Sequence, residues 1–383
     1  MARPQEDGRK SAMKVLILSA STGNGHMSAA HAVEEVLIER GHDAKTVDVL
    51  DHTGKGFRGW YRGGYEVLVR RKPKVWGHLY KSSDRKLFNY RFQTALDTLF
   101  VRKMRAFVMA EKPDWVLCTH SLPQPSLDRW RPRMKFRLGV VVTDLYPQLM
   151  WLRGRPDHFF VPGEWTQEIL AKRYPQSVGR TTVTGIPINR LFAQKASEQT
   201  SRRTWGFRDD TPLVLVTSGG IGGGPIGKVI DALDQVQAKI QVAVVCGRSE
   251  RAIDVASERA KASVDPDKFR VLGLVSSQEM AALMHASDLI VAKPGGITTF
   301  EALAAGLPFV VFEPFLIPGQ EEQNAEFLVE SGIGIRLDRA PALTSEVDGL
   351  LSSPSRLNAM AQMALNHAKP DAAERIVDKL ELL

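Results

Sequence analysis

Short apolar runs alternate with amphipathic segments along most of the chain. The first apolar run, 14–19, is followed by a segment at 28–40 whose apolar residues recur every three or four positions, and Gly41 then precedes a second run at 44–50. Apolar spacing of three to four predicts a helix with one buried face, whereas short apolar runs bounded by polar residues predict strands. The chain therefore opens with a strand, a helix and a second strand, which is the unit of a parallel sheet.

The alternation continues in two blocks, separated by the polar stretch 193–210, which carries no strand pattern. We predict an α/β fold of two doubly wound, Rossmann-like domains facing each other across a cleft, where the carboxyl ends of both sheets place any ligand. A helix is predicted near 92–110, and further strands are predicted at 114–119, 138–143, 158–161, 181–185, 213–217, 242–246, 269–274, 289–292 and 309–312. The expected boundaries are 13–190 for the first domain, 191–365 for the second, and 366–383 for a C-terminal helix that could pack back on the first domain.

Composition narrows the class of protein. The chain has 383 residues, of which 43% are hydrophobic and 25% charged, as in soluble globular proteins with full-sized cores. The first dozen residues are polar and charged, and no run approaches the roughly 18 apolar residues of a spanning helix, so we expect a protein that is neither secreted nor membrane-spanning. Cys118 and Cys246 both lie in apolar runs, which favours buried thiols in a reducing compartment and predicts no structural metal.

Two glycine-rich turns in the second block suit an anion. In each, glycines stand between an apolar strand and a helix, from Ser218 to Gly224 and from Lys293 to Gly296. Glycines let the backbone approach a ligand, and the unpaired N–H groups and dipole of a helix N-terminus attract phosphate. Glu301 follows the second turn at a spacing suited to ribose hydroxyls, which indicates a nucleoside diphosphate. The alternative is a plain strand-to-helix turn with a solvated Glu301.

The first strand-to-helix turn, 19–28, carries His26 near its tip. At the carboxyl edge of a parallel sheet His26 would face the cleft, where an imidazole can take a proton near neutral pH. Two alternatives stay open. Gly23 and Gly25, with Asp48 after the next strand, fit a dinucleotide-binding fingerprint, and His26 could instead cap its own helix.

The net charge of +8 is concentrated in one segment. Between residues 55 and 105, Lys and Arg far outnumber the acidic residues and alternate with Trp and Tyr. Cations with interfacial aromatics suit an anionic membrane surface, at about 1 kcal/mol per Lys or Arg close to it. Such a segment also attracts nucleic acid, and its aromatics could simply belong to a core. The residues assigned to the acceptor and membrane side are Trp60, Tyr61, Arg70, Arg71, Lys72, Lys74 and Trp76.

Several motifs occur together in a fixed order: 22–26 (Thr-Gly-Asn-Gly-His), 142–144 (Val-Thr-Asp), 184–187 (Thr-Gly-Ile-Pro), the glycine turn at 219–224, 293–296 (Lys-Pro-Gly-Gly) and 318–321 (Pro-Gly-Gln-Glu). Together they resemble the monogalactosyldiacylglycerol synthase and processive diacylglycerol glucosyltransferase group, related to the lipid II-forming N-acetylglucosaminyltransferase of glycosyltransferase family twenty-eight. The resemblance extends over roughly 14–337. It implies a GT-B fold, a UDP-hexose donor, and an inverting, metal-independent transfer to a membrane lipid hydroxyl.

The resemblance also implies roles for single residues. His26 matches the proposed base, Asp144 could orient His26 or the acceptor, and His120 is a second basic candidate on the acceptor side. The remaining matches belong to the donor: Gly219, Gly220, Gly296, Ile297 and Thr298 at the diphosphate, Glu301 at the ribose, Leu274 and Val275 at the uracil, and Gln320 and Glu321 at the hexose. From composition alone, a plain solvated helix start explains 320–321 nearly as well.

The expected activity is transfer of galactose or glucose from a UDP-sugar to diacylglycerol, giving a β-glycosyl diacylglycerol, by a cytoplasmic protein held peripherally on the inner face of the cell membrane. Anionic lipids are expected partners, with no nucleic acid, no cofactor and no metal. The alternatives are another lipid-linked acceptor, a nucleotide-sugar 2-epimerase on the same fold, a nicotinamide-dependent dehydrogenase, and a non-catalytic sugar-nucleotide sensor. The chain departs from the resemblance at Asn24, where plant relatives tend to have glycine, and the segment 55–105 matches by character only.

Overall fold

A computed structural model describes residues 12–21, 25–53, 75, 77–78, 102–124, 127, 135–152, 155–194, 198–220 and 223–383. Most of the basic segment lies outside these residues. Within the described ranges, no helix is both long enough and apolar enough to cross a membrane.

The first domain is built on a parallel sheet with the strand order β2-β1-β3-β4-β5-β6. Its strands are β1 Lys14–Ser19, β2 Asp43–Asp48, β3 Trp115–Cys118, β4 Arg137–Val141, β5 His158–Val161 and β6 Thr181–Val183. Its described helices are α1 Gly25–Glu39, α2 Arg102–Glu111 and α3 Glu164–Arg173.

The second domain repeats this plan with the strand order β12-β11-β10-β7-β8-β9. Its strands are β7 Leu213–Thr217, β8 Gln241–Val245, β9 Phe269–Leu272, β10 Leu289–Ala292, β11 Phe309–Phe312 and β12 Gly334–Leu337. The helices are α4 Glu198–Trp205, α5 Ile226–Asp234, α6 Glu250–Lys261, α7 Ser277–Ala286, α8 Gly296–Ala305, α9 Glu322–Glu330, α10 Ala340–Leu351, α11 Pro354–His367 and α12 Ala372–Leu382. Two doubly wound parallel sheets confirm the predicted fold class.

The continuous apolar strands follow from burial on both faces of each sheet. In β1, Val15 and Ile17 join the core under α1, whereas Leu16 and Leu18 join the core on the opposite face. Because helices cover both faces of a parallel sheet, the side chains on neither face are in contact with water. The chemistry is therefore confined to the loops at the strand ends.

The C-terminal helix α12 packs against the first domain. Its apolar residues, including Ile376 and Val377, share a core with Val15 and Ile17 of β1. At the rim, the Arg40 guanidinium donates to Asp378 at 2.6 Å. The chain thus crosses back to the first domain after completing the second.

Several predicted boundaries differ from the structure, and two of the differences change where candidate site residues lie. Helix α1 begins at Gly25 rather than near position 28, so His26 belongs to the first turn of the helix. Strand β9 ends at Leu272 rather than at 274. Gly273 interrupts it, because glycine has no side chain to pack in a strand, and Leu274 and Val275 therefore lie in the following loop.

Candidate active site

A cavity of about 540 Å³ lies between the two domains at the carboxyl ends of both sheets. Its volume is in the range of small-molecule sites. The first domain contributes His26, Thr143 and Asp144 to the lining, and the second contributes both glycine turns. Of the predicted donor residues, those that line it are Gly219, Gly220, Leu274, Val275, Gly296, Ile297, Thr298, Glu301, Gln320 and Glu321.

The N-termini of α1 and α8 meet across this cavity. A Cβ added to Gly296 would lie 2.1 Å from the carbonyl oxygen of Thr143, and one added to Gly25 would lie 2.9 Å from Cγ1 of Ile297. Both helices therefore direct unpaired N–H groups and the positive ends of their dipoles into the same space. Only glycine allows this approach, which explains its presence at the first residue of each helix.

The imidazole of His26 is held by the ends of two other strands. Its Nδ1 lies 2.8 Å from Oγ1 of Thr143 and 3.1 Å from the carbonyl oxygen of Thr119. A carbonyl can only accept, so Nδ1 carries the proton and Nε2 keeps its lone pair. Thr119 lies 93 residues and Thr143 lies 117 residues from His26 in the chain. The alternative that His26 caps its own helix is therefore wrong.

Burial lowers the pKa of His26, against the opposing effects of the Asp144 charge and the bond to Thr119. The imidazole is therefore neutral at pH 7 and can accept a proton. Burial raises the pKa of Asp144, while His26, a hydrogen bond from Trp151 and the Lys293 charge act in the opposite direction. Nε1 of Trp151 donates to Oδ2 of Asp144 at 2.9 Å. The charge of Asp144 thus acts on the pKa of His26, whereas the Thr143 hydroxyl and the Thr119 carbonyl orient the ring.

His120 packs edge-on against His26, with ring centroids 4.6 Å apart. Its Nδ1 accepts a hydrogen bond from the backbone N–H of Leu122 at 3.0 Å. Burial, followed by the His26 charge, holds the pKa of His120 well below its usual value, so the ring is neutral and its proton is on Nε2. His120 contacts His26 but is not among the described residues that line the cavity.

The glycine turns of the second domain lie side by side. Gly219 has φ +83°, a left-handed conformation that favours glycine, and a Cβ there would lie 2.9 Å from Cε of Lys293. Three polar atoms of cavity-lining residues are buried without a hydrogen-bond partner among the described residues: Oγ of Ser218, Oε1 of Gln320 and Oδ1 of Asn324. Buried polar atoms normally have partners, so these atoms mark where a polar ligand fits.

Glu301 lies on α8, one turn beyond the glycines, with part of its surface open to the cavity. Desolvation raises the pKa of its carboxyl to about 8. Hydroxyl donors stabilise the ionised form of a carboxyl desolvated in this way, and a ribose has two hydroxyls.

Glu321 also belongs to the second domain and is 3% exposed. Its Oε2 accepts the backbone N–H of Ile317 at 2.8 Å, and its Oε1 accepts Nζ of Lys293 at 2.5 Å. Both carboxylate oxygens are therefore engaged. Lys293 was not among the predicted site residues, although its position between a strand and a glycine turn was a visible signal.

The structure contradicts the dehydrogenase alternative. Asp48, its required ribose ligand, accepts hydrogen bonds from the backbone N–H groups of Ser21 at 3.3 Å and Leu50 at 3.0 Å, and from the Ser21 hydroxyl. The carboxylate stabilises the turn after β2 and does not line the cavity.

The residues of the basic segment that were predicted to face the acceptor and the membrane lie outside the described residues; they are Trp60, Tyr61, Arg70, Arg71, Lys72, Lys74 and Trp76. The neighbouring Gly77 is described, and a Cβ there would lie 2.9 Å from Cβ of Pro318. Gly77, which lies within the basic segment, therefore packs against Pro318 in the loop before α9, and Val75, two residues earlier, is exposed.

Two family models match the chain in succession. Residues 26–188 match the monogalactosyldiacylglycerol (MGDG) synthase model, and residues 213–376 match the glycosyltransferase family 28 C-terminal domain. The chain belongs to this group of glycosyltransferases. Its membership agrees with the geometry, because each model covers one wall of the cavity.

Relatives of this glycosyltransferase match it over nearly the full length. A processive diacylglycerol beta-glucosyltransferase of Bacillus pumilus is 24% identical and covers 97% of this chain and 96% of its own. The protein of the same name from Staphylococcus saprophyticus is 27% identical, covering 91% and 87% respectively. The alignments thus span most of the length of both relatives.

Solved structures show the same fold. MurG of Acinetobacter baumannii superimposes with a TM-score of 0.64 at 15% identity, covering 97% of this chain and 100% of that chain. A UDP-GlcNAc 2-epimerase from Neisseria meningitidis, bound to UDP-GlcNAc, also gives 0.64 at 15% identity, covering 96% and 99%. At such identity the likeness shows the GT-B fold alone.

Proposed function

We propose that this glycosyltransferase moves a hexose, glucose or galactose, from a UDP-sugar to the hydroxyl of diacylglycerol, with inversion at the anomeric carbon. The observation that carries the proposal is the shared cavity, in which a neutral, oriented His26 faces the glycine turns of the second domain. The relatives named as diacylglycerol beta-glucosyltransferases support the lipid acceptor and do not favour the 2-epimerase alternative.

The reaction is a direct displacement. Nε2 of His26 takes the proton from the acceptor hydroxyl as its oxygen bonds to the anomeric carbon, and the bond from that carbon to UDP breaks with its electron pair on the leaving phosphate. Attack on the face opposite to UDP inverts the configuration. The N–H groups of Gly296, Ile297 and Thr298 stabilise the charge that grows on the diphosphate.

The donor is bound along the wall of the second domain. We assign the ribose to Glu301, the uracil to Leu274 and Val275, and the hexose to Gln320 with the remaining capacity of Glu321. Leu274 is 54% exposed and lies two residues before Ser276, which caps α7. An exposed leucine at a cavity mouth suits the face of an aromatic base. No metal has a role in this scheme, and undiminished turnover in excess EDTA is the expected result.

A direct assay tests the proposal. Purified protein is incubated with labelled UDP-glucose or UDP-galactose and vesicles that contain diacylglycerol, and lipid-soluble label is measured. Labelled glycolipid from at least one donor is expected. Its absence with both donors contradicts the proposed function. In a parallel incubation with labelled UDP-N-acetylglucosamine, conversion of the label to the 2-epimer would point to the 2-epimerase.

We further propose that the protein acts at the inner face of the membrane, docked by its basic segment. Neutralising four cations should reduce co-sedimentation with anionic vesicles by at least about tenfold, since each contributes on the order of 1 kcal/mol near the surface. These cations are Arg70, Arg71, Lys72 and Lys74. The control carries the same charge change on exposed residues of the second domain, namely Lys239, Arg251, Lys261 and Arg339. Equal loss in both variants contradicts docking by the segment.

A further inference from the structure

Lys293 occupies an unusual position for a cation. It directly follows β10 at the carboxyl edge of the second sheet, and its side chain is 21% exposed. Among the described residues that line the cavity, Lys293 alone carries a permanent positive charge, against the carboxyl groups of Asp144, Glu301, Glu313 and Glu321. A doubly charged anion therefore finds one fixed cation at this site.

The geometry places the ammonium group between the two glycine turns. A Cβ on Gly219 would lie 3.9 Å from Nζ of Lys293, and so would a Cβ on Gly295. The same Nζ donates to Oε1 of Glu321 at 2.5 Å. An ammonium has three donors and no acceptor, so the bond to Glu321 leaves protons for a second anionic partner beside both turns.

We propose that Lys293 binds the diphosphate of the donor, and that Glu321 is a positioning residue that holds its ammonium between the glycine turns. This inference rests on the proposed UDP-sugar site. A mobile lysine would lose side-chain entropy on binding a phosphate, whereas one already held by a buried carboxylate is preorganised. During transfer the same cation stabilises the negative charge left on UDP, in addition to the backbone N–H groups.

The bland alternative is an ion pair that only stabilises the fold. Removing Lys293 alone would leave Glu321 buried without its charge partner, which is costly for folding. Lys293→Gln retains an amide donor for Glu321, and the double variant Lys293→Gln/Glu321→Gln removes both charges while keeping a polar pair. The double variant therefore distinguishes an effect on ligand binding from an effect on the stability of the fold.

The experiment measures binding of UDP, UMP and uridine by calorimetry to the full chain. For Lys293→Gln and for the double variant, we expect UDP affinity to fall by about 10- to 100-fold, the range of a lost hydrogen bond between charged groups, with uridine affinity unchanged. Lys228→Gln, which removes an exposed cation from α5, should leave all three affinities unchanged. Glu321→Gln keeps the cation and an accepting oxygen, and should retain UDP binding within about threefold.

Each outcome decides the matter. Wild-type UDP affinity in the double variant, or equal losses for UDP and uridine, overturns the role of Lys293 and leaves the UDP-sugar site intact. Absence of UDP binding by the unaltered protein instead rejects the proposed function itself. Selective loss of UDP binding, with a weaker salt dependence of what remains, supports the inference.

Discussion

The two walls of the cavity differ in how they bind. The first-domain wall presents a neutral imidazole, aligned by the Thr143 hydroxyl and the Thr119 carbonyl, with its pKa lowered by burial. The second-domain wall presents backbone N–H groups at two glycine turns and one lysine held by a carboxylate. In the proposed mechanism this difference separates proton transfer from anion binding by domain, so variants of the first wall should change turnover and variants of the second should change donor affinity.

The largest effect is expected at the first wall. His26→Ala should lower kcat by about 10²- to 10⁴-fold, the usual contribution of a general base, with UDP affinity unchanged, since the imidazole does not contact the diphosphate in our scheme. Single-turnover kinetics and calorimetry on the same preparation measure both. His31→Ala, on the same helix but exposed, is the matched control. A parallel loss of UDP affinity would contradict the assignment of proton transfer and anion binding to different walls.

The next largest effect concerns the contact that joins them. Gly296→Ala places a Cβ where the Thr143 carbonyl oxygen lies, so the cleft must open, and both kcat and UDP affinity should fall by at least about tenfold through lost alignment. Gly349→Ala is the matched control, because this glycine also lies in a helix and nothing lies within 4 Å of the added Cβ. Unchanged kinetics for Gly296→Ala would mean that the walls do not need to touch.

A pH titration examines the second wall alone. Glu301 has a pKa of about 8 in the unliganded protein, and ribose hydroxyls donate best to its ionised form. Binding then lowers the pKa and releases a proton at pH values below about 8, so uridine affinity should rise by about tenfold between pH 6.5 and 8.5 and level off above. Uridine is used because it carries no titrating phosphate.

Glu301→Gln should remove this pH dependence, because its amide does not ionise. Affinity that falls with rising pH in the unaltered protein would indicate that the protonated carboxyl donates to the ribose, which reverses the assigned role.

The smallest effect tests the alignment of the base. Thr143→Val keeps the shape but removes the hydroxyl 2.8 Å from Nδ1 of His26, and should lower kcat by about five- to tenfold, the value of one neutral hydrogen bond. The Thr119 carbonyl still fixes the tautomer. UDP affinity should not change. A kcat equal to that of the unaltered protein would show that the carbonyl is sufficient to orient the ring.

Sequence pattern predicted the elements of this site better than its contacts. The N-terminus of α8 and the placement of His26 and Glu301 in the cavity followed from local signals, since a strand, glycines and a helix lie within a few residues. The partners of His26 did not, because Thr119 and Thr143 reach it only when β3 pairs with β1 and β4 pairs with β3. Strand order is a long-range property that one sequence does not display.

The pairing of Lys293 with Glu321 was missed for the same reason, because 28 residues and a full strand separate the two. The end of β9 was misplaced for a local reason: the apolar Leu274 and Val275 extended the strand pattern past Gly273. Burial distinguishes a strand residue from this loop residue, since Leu274 is exposed although it is apolar.

The central claim is that a base on one wall faces a diphosphate site on the other. A crystal structure of the protein with UDP tests it most directly. We expect the diphosphate between 219–220 and 296–298, the ribose at Glu301, and Nε2 of His26 directed at the space beyond the terminal phosphate. Empty glycine turns in a saturated crystal, or an imidazole directed away from that space, would contradict the account.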